Sequence, residues 1–171
     1  MKKMSVLAMM FASVVLFCSP VKGQDNTYTN VTHFQFAKLM VQLCGLTPML
    51  PTERTPTETD YFQLLAFNNI QPTGGWQSGA LVTRADLAKV VVLAMGESKK
   101  VENPEQPQAW IDYLVNKGVK VDTIGLGTRP VDPLQFPMSV DPIVAIQNIL
   151  QEVVKPIPPA TPTGPKRGAR I

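Results

Sequence analysis

The segment VTHFQFAKLMVQLCG (residues 31–45) returns 51 residues later as VTRADLAKVVVLAMG (82–96). Six of the fifteen positions are identical, and most of the others exchange one apolar residue for another. A second pair keeps nearly the same period: YFQLLAFNNI (61–70) matches WIDYLVNKGV (110–119) at a shift of 49. In such a chain each unit folds into a like piece and buries its apolar stripe on a neighbour. A length of 171 residues suits one small domain, or two very small ones, and excludes a large multidomain enzyme.

Local signals say what the pieces are. Thr32 with Gln35 three residues on is a capping pair, and Phe36, Met40 and Leu43 follow at helical spacing to a stop at Gly45. A proline-punctuated loop (47–60) ends in a second start, Thr57 with Asp60, ahead of a short helix from Tyr61 to Asn69. Turn formers fill 70–80. Thr83 with Asp86 opens a third helix that buries Leu87, Val90, Val91 and Ala94. Its β-branched run Val90–Val92 would suit a strand, but the cap and the alanines favour helix. Ala109–Lys117 is a fourth helix, stopped by Gly118. Residues 119–140 read as irregular. Asp141-Pro142 then opens a closing helix (141–154) with Ile143, Ile146, Leu150 and Val153 on one face. Five prolines within residues 155–171 predict a disordered, basic tail. The expected fold is all-α: helix–loop–helix units at about 31–80 and 82–130, packed with the closing helix into a small bundle.

The first 23 residues, MKKMSVLAMMFASVVLFCSPVKG, have the charged, apolar and small-residue layout of a signal peptide, with Gln24 as the mature start. The apolar run is too short for a permanent transmembrane span. Lipidation at Cys18 is the rival reading, and Phe17 argues against it. The expectation is export to the periplasm, envelope or cell surface. The mature chain keeps only Cys44, which has no internal disulfide partner and reads as a small buried hydrophobe. The net charge of +3 comes from the ends. Setting aside Lys2, Lys3, Lys22, Lys166, Arg167 and Arg170 leaves 10 basic residues against 13 acidic, which argues against a nucleic-acid partner.

The stretch GGWQSGALVTRADLAKVVVLAMG (74–96) and the shorter helices at 61–70 and 110–119 resemble the S-layer homology module. Thr83, Arg84, Ala85 and Asp86 stand in the motif that opens that module's helix, while the first copy has His33, Phe34 and Gln35 instead. The resemblance covers about residues 31–119 as roughly two units. It implies a non-enzymatic bacterial envelope protein that binds cell-wall polysaccharide or peptidoglycan non-covalently. The motif arginine would contact an anionic glycan substituent, a task for which a guanidinium fork is suited. Arg84, Thr83 and, for stacking on a sugar, Trp76 are the candidate ligand residues. The alternative is a structural or assembly subunit that makes protein contacts, including self-association.

Plainer readings stand beside these. Thr83 and Asp86 form a capping box in either case, and Arg84 reads equally as a solvated first-turn residue. His33 reads as a surface histidine; a lone histidine cannot build a metal site. Trp110 reads as core, and Trp76 as a partly exposed loop residue. No nucleophile elbow, P-loop, dinucleotide fingerprint or paired acid stands out, so no catalytic residue, cofactor or metal is assigned.

Overall fold

A computed structural model describes residues 28–158. The expected signal segment 1–23, the cut before Gln24, Cys18 and residues 159–171 of the tail lie outside the described residues. In chain order the elements are β1 (Tyr28–Asn30), α1 (His33–Leu43), α2 (Glu58–Phe67), α3 (Arg84–Ala94), α4 (Pro107–Asn116), β2 (Gln135–Pro137) and α5 (Pro142–Leu150). Single 3-10 turns sit at 47–49, 98–100 and 121–123.

The caps start the helices where the sequence places them. The Gln35 amide donates to Thr32 Oγ1 at 3.3 Å while Gln35 Oε1 accepts from the Thr32 amide at 3.0 Å. Thr83 and Asp86 repeat this box on α3, with the Asp86 amide donating to Thr83 Oγ1 at 3.0 Å. α2 begins at Glu58, three residues before the expected Tyr61, because Thr57 itself is the cap and Asp60 its partner. Arg54 adds a two-pronged bond to the Asp60 carboxylate at 2.6 and 2.7 Å. That hydrogen-bonded guanidinium, with the Thr57 amide, holds the Asp60 pKa well below the usual carboxylate range. Asp141 Oδ1 accepts from the Ile143 and Val144 amides and caps α5, with Pro142 in the first turn.

Units one and two share the backbone bonds that end their helices. Gly45 and Gly96 end α1 and α3 at φ +68° and +70°, a left-handed conformation that glycine adopts without penalty. Asn69 and Gly118 do the same after α2 and α4, at φ +59° and +83°. Ile70 N–H donates to Leu65 O, and Val119 N–H to Leu114 O, each at 2.9 Å. The lysine common to both copies has one job. Lys38 lies 6.0 Å from the Tyr61 ring and Lys89 5.7 Å from the Trp110 ring, so each cation bridges its unit's long helix to the shorter one.

The units are joined through backbone. Val82 N–H donates to Val31 O at 2.8 Å, and Leu134 N–H donates to Val82 O at 2.8 Å. Leu134 lies 52 residues beyond Val82, so a third unit begins on period. Its helix is delayed, because residues 135–137 pair with β1 in antiparallel register, Tyr28 opposite Pro137 and Asn30 opposite Gln135. The lead-in segments of the three units are therefore tied in a closed ring. α5 packs on α1, and among the described residues it has no second helix of its own.

The two-stranded sheet corrects the all-α expectation: the protein is mostly helical with one small sheet. Neither strand carries an alternating apolar pattern; of the three β2 residues only Phe136 is buried, and the pairing is made by backbone. Phe36, Met40, Leu65, Leu87, Leu114, Leu134, Ile146 and Leu150 fill one core. Each such side chain contributes about 1.5–3 kcal/mol by leaving water. The proline-rich end is fastened further than its composition predicts: Ile157 N–H donates to Cys44 O at 2.9 Å, and Pro156 packs against Gly45. Among the described residues no helix is long and apolar enough to cross a membrane.

A second charged joint holds α3 to α4. The Glu97 carboxylate accepts from Lys100 Nζ at 2.8 Å, from Lys117 Nζ, and from Tyr113 Oη at 2.8 Å. These bonds, that of Lys100 first, lower the Glu97 pKa from its ordinary 4.5 to about 2. A carboxylate with a depressed native pKa contributes fully above its unfolded pKa and loses that contribution as pH falls through the native one. Glu97→Gln is expected to flatten the stability profile between pH 4.5 and about 2, read by urea unfolding at a series of pH values. In the same assay at neutral pH, Thr83→Ala should cost about 1 kcal/mol. Leu134→Ala, which empties the joint between units two and three, should cost about 2–5 kcal/mol.

Candidate ligand site at the joints between units

The first residue of each long helix turns inward onto the loop that leads to the next unit. At α3 this residue is Arg84. Its aliphatic stem and guanidinium are 7% exposed, and Nη2 donates to Ile124 O at 3.0 Å and to Gly127 O at 2.9 Å. Burial corrects the solvated first-turn reading. The loop at 124–130 folds over the side chain, and Ala85 N–H donates to Pro130 O to hold it there. Arg84 has no carboxylate partner among the described residues, and its Nε is sealed from water without an acceptor.

At α1 the same position is His33, and it too is buried, at 5% exposure, rather than on the surface. The residues at 76–80 cover it: the Gln77 amide donates to His33 Nδ1 at 3.2 Å, and His33 N–H donates to Ala80 O at 2.8 Å. Burial lowers the His33 pKa below its ordinary 6.5, and the Asp86 carboxylate partly opposes this. The signal for a buried histidine was positional, since His33 aligns with Arg84 in the repeat. A histidine read by itself gives no such indication.

Trp76 lies in the α2–α3 loop and is half-buried. Its indole N–H donates to Ile70 O at 2.9 Å, and one face stacks on Phe62 with centroids 5.5 Å apart. His33 meets it edge-on at 5.6 Å. The indole N–H is thus committed internally, as is that of Trp110, which donates to Pro104 O from the core.

Thr83 is committed to the cap, its hydroxyl 2.7 Å from Asp86 Oδ2. The other oxygen of Asp86 accepts from the Thr73 amide at 3.2 Å, which fastens the cap of α3 to the loop that carries Trp76. The three candidates therefore serve two joints. Trp76 and the Thr83–Asp86 cap belong to the first, between units one and two; Arg84 closes the second, between units two and three. A cavity of about 610 Å³ lies at the far ends of α2 and α3, lined by residues such as Ile70, Leu93, Glu97 and Ile157, and none of the candidates reaches it. The Cys44 thiol is also out of play: it is buried, and burial raises its pKa to about 11. Among the described residues no group of three or more His, Cys, Asp or Glu side chains could hold a metal.

No family model, curated protein or solved structure matches the chain.

The Arg84 joint depends on a close backbone approach. Gly125 has φ +64°, and a Cβ there would stand 2.9 Å from Gln135 O, the acceptor of the Leu126 amide. Gly125→Ala is expected to destabilise by more than about 1 kcal/mol. Arg84→Leu should cost about 1–3 kcal/mol by stranding the buried Ile124 carbonyl. Thermal unfolding of the two single variants and the double variant checks both values, and non-additivity would mark a shared joint.

Proposed function

We propose that this is an exported bacterial envelope protein of S-layer-homology type, which attaches non-covalently to anionic cell-wall polysaccharide or peptidoglycan and catalyses nothing. One observation carries the reading: a buried guanidinium at a unit joint that no carboxylate neutralises among the described residues. A guanidinium that is 7% exposed and lacks an ionic partner gains from an incoming anion, which offsets part of its lost hydration. Two carbonyls take Nη2, the nitrogen that both two-pronged edges of a guanidinium share, so Nε is left as a single donor for a carboxylate on a glycan. Thr83 and the loop of Trp76 flank the start of the same helix. Reaching Nε requires the 124–130 loop to shift, so binding in this reading opens the second joint.

A second reading, a structural subunit in an envelope assembly, is favoured by the third unit. Half of the large exposed hydrophobic residues (Leu126, Val131, Met138, Val140 and Val144) fall within residues 126–144. That concentration suits protein contact.

Sedimentation with purified wall material tests the first reading. The native protein should pellet with intact walls, less so at raised salt, and less so with walls stripped of their acidic polymer. Arg84→Lys keeps the charge but not the Nε donor, and should weaken retention roughly tenfold, the factor for about 1.4 kcal/mol. Absence of native retention would remove the wall-binding reading. A strict monomer in light scattering, without crosslinked partners, would count against the second.

A further inference from the structure

His33 and Arg84 occupy the same position in successive units and do the same mechanical work with opposite chemistry. Arg84 holds its loop by donating, the one role a guanidinium has in a hydrogen bond. His33 holds its loop by accepting, and Nδ1 can take the Gln77 amide proton only while it carries none of its own. We propose that His33 is an acid-sensitive latch on the loop that presents Trp76, so that acidification loosens the first joint and leaves the second closed. The latch stands on the geometry of this joint; only its consequence for ligand retention rests on the wall-binding reading.

The physical chain is short. Protonating Nδ1 turns the hydrogen bond into two donors facing each other 3.2 Å apart, beside the Trp76 ring, whose own neighbours are Phe36 and Phe62. Charged groups on the surrounding elements do not relieve that conflict. From α3, Asp86 favours the protonated ring, but its oxygens are held by Thr83 and the Thr73 amide. From α2, Glu58 is taken up by the Ser78 hydroxyl at 2.8 Å. Lys89 reaches the Thr73 hydroxyl, and Lys38 lies over Phe34 and Tyr61. The native ring therefore prefers to stay neutral. Stability from this joint is complete above pH 6.5 and declines as pH falls below it, where the unfolded chain binds the proton more readily.

His33 is the only histidine in the sequence, so its imidazole signals need no assignment by mutation. Nitrogen-15 NMR of the full chain, taken from pH 7.5 to 4.5, should show the Nε2–H tautomer at the start and a midpoint below 6.5. The Gln77 amide and the Trp76 indole should move on that same curve, while the amides of residues 124–127 should not. His33→Gln offers an acceptor that does not titrate, and its loop signals should stay in place throughout. An Nδ1–H tautomer, loop signals that ignore the His33 titration, or a transition that persists in His33→Gln would each overturn the latch. The tautomer and the co-titration are read on the native protein, so the test survives a variant that does not fold. If the walls retain the native protein, retention should differ between pH 7.5 and 5 for the native chain and not for His33→Gln. A protein that never pellets speaks against the wall-binding reading and leaves the NMR result as the judge of the latch.

Discussion

The carbonyl of Val31 accepts from Val82, and the carbonyl of Val82 accepts from Leu134, each at 2.8 Å. These two bonds fix how far each unit stands from the next, and the pairing of β1 with β2 closes the circuit. A helix pair such as α1–α2 or α3–α4 has an apolar face too large to leave in water and too small to bury alone. Once the lead-in segments are tied edge to edge, the long helices that follow must converge on one core. The third unit shows the cost of closure. Its residues 135–137 leave the helical programme to pair with β1, and α5 starts late and short as a result.

The joints are where the two repeats stop being alike. The long-helix caps, the left-handed stops and the bridging lysine are reproduced from unit one to unit two, as in Thr32 and Thr83, or Lys38 and Lys89. The first residue of the long helix is not. A neutral ring sits at one joint and a guanidinium at the other, each covered by the loop ahead of the next unit. Common features are those needed to build a unit, and differing ones concern what happens between units.

Most of the unit was legible in the sequence because its signals are local. Thr32–Gln35, Thr57–Asp60, Thr83–Asp86 and Asp141-Pro142 lie within one helical turn, so they could be read without knowing the fold. Burial of Leu87, Val90 and Val91 followed from spacing in the same way. The sheet was not legible, since Tyr28 and Pro137 are 109 residues apart in the chain and their pairing uses backbone groups that every residue carries. The candidate site was legible only by position. Arg84 and Trp76 were named from the motif and its loop. That Arg84 and His33 are buried, and that Trp76 spends its indole N–H on Ile70, depends on loops arriving from 40 or more residues away in the first two cases and on a turn of Gly74-Gly75 in the third.

The bond from Ile157 to Cys44 gives the protein a direction. Cys44 follows the last turn of α1, and His33 begins that helix. Eleven residues at about 1.5 Å each place the two ends roughly 16 Å apart. Pro156 and Ile157 are therefore held at the pole away from the histidine joint, so the fastening of this end and the loop that covers His33 load opposite ends of the same helix.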